Sequence, residues 1–264
     1  MIPTSIDGTD ITGATIDGTD VQEITVDGDV VFSGGPSNLP LAYSNLVAWY
    51  PFDSATYGGS NADDVTAIFN PSQSGDSTAY DGTVNGASYQ SSGGVTDINA
   101  GANSGAYDFD GSNDAIAITN PMDNFNEITF CFWIEPDGQT DSAPFIFSDN
   151  NVAEAHIKDN SDMRWIFDED GSGGTFDDQN VVSLNGGYQW FGFTIDSSQN
   201  GQAYHDGQPT TSFTSVPILD GTGNMLLGDR SSSNRPYEGR IDDFRIYNTD
   251  LSNSQMQQIY DNTN

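Results

Sequence analysis

Two histidines, one cysteine and six glutamates leave this 264-residue chain few routes to covalent chemistry, whereas its 33 aspartates give it many ways to hold a hard cation. His205 stands in Tyr-His-Asp-Gly, just before a hairpin turn, and His156 lies beside Lys158 in an alternating run, where it reads as a strand residue on a wet face. A Ser-His-Asp triad needs one of them oriented in a cleft, and nothing local to either provides that. Zinc requires a set of nitrogen and sulfur donors that one cysteine and two distant histidines cannot supply. Cys131, inside Phe130-Cys-Phe132, has no intrachain partner and reads as a small buried apolar residue. Calcium is the metal that the composition could serve, because it takes about six to eight oxygens and Asp-rich loops between strands provide them. The turn Asp110-Gly-Ser-Asn-Asp114 is one such place. Gly171-Ser-Gly-Gly174 follows Asp168-Glu-Asp170, which would repel a phosphate, so that run reads as a loop. Sugar recognition needs an aromatic platform with planar polar groups in a rim loop. Trp165, Tyr237 and Arg235, with Asp229 nearby, are the candidates, while Trp49, Trp133 and Trp190 lie within hydrophobic strands and read as core.

The elements that must position these residues are strands. Ile241 to Tyr247 alternates, placing Phe244 and Ile246 on one face and Asp243, Arg245 and Tyr247 on the other. Ser252 precedes Gln255 by three residues, a capping box that opens a helix whose apolar side carries Met256, Ile259 and Tyr260. That helix is expected to fold over the end of the core. At the other end, Ile6-Asp-Gly, Ile16-Asp-Gly and Val26-Asp-Gly recur every ten residues. Asp-Gly between β-branched residues is the sequence form of a tight hairpin turn, because glycine tolerates the positive φ required at the second turn position. Residues 1–33 therefore read as three hairpins, with residues 34–44 as a Gly- and Pro-rich linker and 45–264 as the main domain. A calcium-binding β-roll would instead need glycine pairs at a nine-residue period. So short a hairpin segment buries too little surface to stand alone and should be stable only against a neighbour.

The closing strand and helix closely resemble those of laminin G-like jelly rolls in the concanavalin A-like lectin and glucanase superfamily. Leu46-Val-Ala-Trp-Tyr-Pro-Phe-Asp53, Gly105-Ala-Tyr-Asp-Phe-Asp-Gly111, Glu127 to Pro136, Tyr188 to Asp196, Ala203-Tyr-His-Asp-Gly207 and Met225-Leu-Leu-Gly-Asp229 resemble its other landmarks, in the same order along the chain. The resemblance implies an all-β sandwich of two antiparallel sheets. It also implies a calcium where the first and last strands meet, on Asp53 and Asp243 with Asp242 beside them. Glucanases of this superfamily carry Glu-x-Asp-x-x-Glu, whose carboxylates flank the scissile bond. The nearest match here, Glu135-Pro-Asp-Gly-Gln-Thr140, has Thr in place of the second Glu, so the expectation is a protein that is not an enzyme.

With 39 acids against six bases, the chain carries a net charge of −33. At molar salt the Debye length falls to about 3 Å and the resulting self-repulsion is largely screened, so the composition points to work in brine. Six scattered cations cannot neutralise a phosphate track, so no nucleic acid partner is expected. Met-Ile-Pro-Thr-Ser-Ile-Asp lacks the basic and apolar regions of a signal peptide, and no membrane insertion is expected. Asp-Gly hairpin repeats ahead of a lectin-like domain resemble the attachment ends of structural proteins in tailed viruses of halophilic archaea. That resemblance implies a virion component (tail fibre, spike or capsid turret) that reaches the outside by lysis. Its N-terminal module would contact other virion proteins or further copies, with a trimer favoured and a pentamer possible, and its jelly roll would contact a host cell-surface glycan. The rival readings are a cell-surface carbohydrate-binding or adhesion module of a halophile and a glycan hydrolase.

Overall fold

The computed structural model describes residues 45–52, 80–95, 105–122, 125–138, 143–149, 152–167, 174–218, 223–230 and 235–263, together with Ala62, Gly221 and the paired strands within residues 5–33. Those paired strands form three two-stranded hairpins: β1 (Ser5–Ile6) with β2 (Thr9–Asp10), β3 (Thr15–Ile16) with β4 (Thr19–Asp20), and β5 (Glu23–Val26) with β6 (Asp29–Ser33). Ile6 pairs Thr9, Ile16 pairs Thr19 and Val26 pairs Asp29, so each Asp-Gly pair falls between paired residues, as the repeat predicts. The linker at 34–44 lies outside the described residues.

The main domain is a sandwich of two antiparallel sheets. One holds, in order across the sheet, β19 (Gln208–Thr214), β18 (Asn200–His205), β17 (Gln189–Ile195), β12 (Ile128–Pro136), β21 (Glu238–Tyr247), β10 (Ala106–Asp110) and β9 (Ser88–Gln90), and the other β16 (Gly174–Asp178), β15 (Asp162–Phe167), β14 (Glu154–Lys158), β13 (Phe145–Ser148), β20 (Asn224–Leu227), β11 (Ala115–Thr119) and β8 (Thr83–Asn85). The last strand, β21 (Glu238–Tyr247), organises the first sheet. One of its edges pairs in full with β12 (Ile128–Pro136). The other edge is shared end to end by β10 (Ala106–Asp110) and β7 (Leu46–Tyr50). Alternation on β12 sends Phe130, Phe132 and Ile134 into the core between the sheets, where they meet Trp165, Phe147, Phe193 and Phe244. Burying each such ring stabilises the fold by roughly 2–3 kcal/mol.

The opposite face of the same sheet is also dry. Cys131 and Trp133 of β12 point there with Trp49, Trp190, Tyr204 and Tyr247, beneath helix α1 (Asn253–Asn262). Ser252 caps the helix through the predicted box with Gln255, and Met256 and Ile259 are its buried residues. The helix thus covers the outer face of a sheet and closes a second small core, rather than the end of the main one. It can come this close because β17 (Gln189–Ile195) presents Gly192, where a Cβ would lie 2.4 Å from the Met256 Cε. Among the described residues, no helix is long and apolar enough to cross a membrane.

Candidate functional site

The outer face of the second sheet is built differently. Strands β14 (Glu154–Lys158) and β15 (Asp162–Phe167) send Ala155, Ile157, Met163, Trp165 and Phe167 inward. Their alternate residues face out. Register then aligns one cross-strand row: Phe145 on β13 (Phe145–Ser148) opposite His156, His156 opposite Arg164, and Arg164 opposite Asp177 on β16 (Gly174–Asp178). Arg164 donates to Asp177 through two nitrogens, at 2.6 and 2.9 Å, and Lys158 donates to the same carboxylate at 2.7 Å. Arg164 first and Lys158 second hold the Asp177 carboxyl down at about 2, against the effect of partial burial.

At the other end of the row, the Arg230 guanidinium lies 5.1 Å from the Phe145 ring centroid and 3.0 Å from Glu154, a fully buried carboxylate that also accepts from the Ser148 hydroxyl at 2.6 Å. Asp229 fixes the chain here. Its Oδ1 accepts from the backbone N–H of both Arg230 (2.6 Å) and Arg235 (2.8 Å), while the Arg235 carbonyl accepts from Phe145 N–H. The His156 ring packs on Phe145 at 4.7 Å. Burial above all, then the positive field of Arg164, Arg235 and Arg230, pushes the His156 imidazole down to about 4, with Asp177 acting the other way. At neutral pH the imidazole is therefore uncharged.

The sequence-predicted sugar residues divide sharply. Arg235 and Asp229 are brought together, as described. Trp165 and Tyr237 are not, because both are buried between the sheets: Trp165 packs on Phe132 and Phe193, and Tyr237 on Phe109. Neither can act as a platform: strand alternation turns Trp165 inward, and Tyr237, just before the last strand, is fully buried. His156 is likewise not on a wet face but buried beneath the arginines. Lys158, Arg164, Arg230 and Phe145 were not singled out by sequence reasoning. The signal for Arg164 was its place one residue from an inward Trp165 in an alternating strand.

Where the first and last strands meet, Asp242 and Asp243 are already engaged by protein donors. A bulge in β21, where Asp243 (φ of 46°) and Phe244 stand opposite the single Phe132 of β12, turns both Asp242 and Asp243 to the outer face. Asp243 is then taken up by protein donors: the Trp49 indole at 2.6 Å and the Arg245 guanidinium at 2.8–3.0 Å. Asp242 accepts from the backbone N–H of Val95 at 2.8 Å and of Asp243 at 2.8 Å. The positive charge at this junction is Arg245, stacked 4.3 Å from the Trp49 ring and 1% exposed. Asp53 lies outside the described residues, and among those described no group of three or more metal-binding side chains forms. The turn at Asp110 closes on itself, with Asp114 accepting from Asp110 N–H and Asp110 from Ser112 N–H.

Two clefts open on the outer face of the first sheet among the described residues. One, of about 430 Å³, holds Asp108, Glu135, Asp137 and Arg240. Arg240 lies opposite both Asp108 and Glu135 on the strands beside it, and it donates to Glu135 at 3.2 Å and to the Gly93 carbonyl at 3.1 Å. Burial, chiefly, raises the Asp108 carboxyl, with Arg240 opposing. The nearest match to the glucanase motif therefore begins with a carboxylate bound to a guanidinium, and its last residue, Thr140, lies outside the described residues. The other cleft, of about 410 Å³, is floored by Thr194, Gln202 and Ser212, which align across three strands. The Gln202 amide is committed to Ala203 and Thr211 carbonyls and accepts from Ser212.

The sequence profile of the concanavalin A-like lectin/glucanases superfamily matches residues 110–257, more than half of the chain. The chain belongs to this superfamily. No curated protein matches it in sequence. Among solved structures, it is similar to domain 4 of AbnA, an extracellular arabinanase from Geobacillus stearothermophilus solved with arabinotriose. The identity is 17%, with 82% of this chain and 98% of that domain covered, at a TM-score of 0.59. It is also similar to the receptor-binding domain of botulinum neurotoxin type G (14% identity, 82% of this chain, TM-score 0.57). A third similar structure is the binding domain of Paraclostridial Mosquitocidal Protein 1 (16%, 83%, 0.56). The chain spans about half the length of those two toxin domains, 51% and 52%. At these identities the likeness is one of fold, and the superfamily jelly roll is a lectin-like binding fold.

Proposed function

We propose that the chain is a non-enzymatic glycan-binding protein of a virion from a halophilic archaeal virus, with the jelly roll outward and the hairpins of residues 1–33 holding it to other virion proteins. The observation that supports glycan binding most is the match to a domain solved with arabinotriose, which covers 98% of that domain. The charge of −33 supports the high-salt setting, and the hairpins, too small to stand alone, support attachment or association, as a trimer first and a pentamer second. Many weak sites on one particle would add up to avidity. Against catalysis stand the threonine in the glucanase position and the Glu135 carboxylate paired with Arg240.

The test is to incubate the full chain with host-surface polysaccharide in molar salt and to measure retention and new reducing ends. Retention without new ends is expected, whereas new ends would establish a hydrolase. Deleting residues 1–33 should abolish incorporation into particles, and normal incorporation would remove the anchoring role.

A further inference from the structure

Four of the six basic side chains of this acidic protein, Lys158, Arg164, Arg230 and Arg235, gather on the outer face of the second sheet around Phe145 and His156. We propose that this row is a subsite for an anionic sugar unit, one bearing a carboxylate or a sulfate. The proposal rests on the glycan-binding reading and names the chemical class that this face selects.

The charged ends are reachable, since the side chains of Arg230, Arg164 and Lys158 are 23%, 24% and 28% exposed. They are partly compensated, by Asp177 for Arg164 and Lys158, by the mostly exposed Asp159 at 3.8 Å from Lys158, and by Glu154 for Arg230. Arg235 forms no ion pair with a carboxylate among the described residues, so its charge is the one left for a ligand. Asp229 clamps the backbone at both Arg230 and Arg235, which places these two arginines at fixed points beside Phe145. The His156 Nδ1 is buried without a partner among the described residues, in a ring that adds no competing charge.

A neutral sugar gains little from four cations on a surface otherwise negative. A nucleic acid would need a track of phosphates, and the row spans only about 15–20 Å across neighbouring strands. In molar salt, long-range attraction is screened and only contact pairs survive. Guanidinium forks make such contacts with planar or tetrahedral oxyanions through two parallel N–H groups.

The experiment is calorimetric titration of the full chain in molar sodium chloride with three probes: oligogalacturonate, dextran sulfate and uncharged dextran. An anionic probe is expected to bind, the carboxylate and sulfate arms showing which oxyanion is preferred, and dextran is not. Arg235→Gln should weaken that binding roughly five- to tenfold with an unchanged melting temperature. Arg230→Lys, which keeps a charge beside Glu154 but loses the fork, should also weaken it. If dextran or neutral host polysaccharide binds and the anionic probes do not, glycan binding stands and this subsite falls. If no glycan binds, both fall. Anionic binding that is unchanged in Arg235→Gln and Arg230→Lys alike would overturn the assignment of the site.

Discussion

Among the described residues, two arginines lie over aromatic rings, one on each side of the sandwich. Arg245 sits 4.3 Å from Trp49 and pairs with Asp243, while Arg230 sits 5.1 Å from Phe145 and pairs with Glu154. The pairings are alike, but Arg245 is sealed at 1% exposed beneath the helix-covered core and Arg230 stays 23% open to solvent. Burial decides what each can do. The sealed cation and its partner, both on β21, are tied to Trp49 of β7, and the one left at a surface can still meet a ligand.

The comparison is broken most directly at Arg245. Replacing it with Met should cost about 3–5 kcal/mol, because Asp243 is then left buried and uncompensated. A melt in molar salt that shifts no more than a surface variant would show that the pair is not structural. Asp149, on the Arg230 side, tests whether that face has a sealed group of its own. Burial pushes its carboxyl up to about 7, against donation from Val152, Ala153 and Asn120. Its folded value lies above the unfolded 3.8, so its contribution is present below about pH 4 and lost as pH rises towards 7. Asp149→Asn should therefore gain on the parent protein over that window, by on the order of 2 kcal/mol, read from denaturant melts at several pH values. His156 has the opposite sign, stabilising above about 6.5 and losing that contribution as pH falls towards 4.

Gly192→Ala sharpens the comparison from the sealed side. Its Cβ would press on Met256 and Trp190, costing about 1–2 kcal/mol as the helix is lifted. Tryptophan emission should shift as the second core opens, and an unmoved spectrum would mean that the helix does not depend on that approach. Arg235→Gln, on the open side, should change stability by less than about 0.5 kcal/mol. The smallest expected effect is that of calcium. Since Arg245 already supplies the positive charge beside Asp243, adding calcium or a chelator in high salt should leave the melting temperature where it is.

Much of the scaffold could be read directly. The alternation in β21, the capping box at Ser252 and Gln255, the Asp-Gly hairpins and the buried Cys131 all follow from spacing, because period-2 and capping patterns are local. The ligand residues were harder. Trp165 and Tyr237 have the right chemistry for a sugar platform, but the face of a strand on which a ring lies depends on the register of its neighbours. Asp242 and Asp243 look like free carboxylates in sequence, and a bulge turns both towards protein donors nearly 150 or more residues away, at Val95 and Trp49.

Sequence alone thus determined the hairpin repeat, the helix and the acidic charge, since each is set by local periodicity or by composition, while the two-sheet architecture followed from the family resemblance. Only the tertiary structure decided that four of the six cations share one face, that Arg245 pairs with Asp243 where the first and last strands meet, and that the helix seals a second core. Those outcomes depend on which strands become neighbours and in what register, and pairing between residues far apart in the chain leaves no local mark.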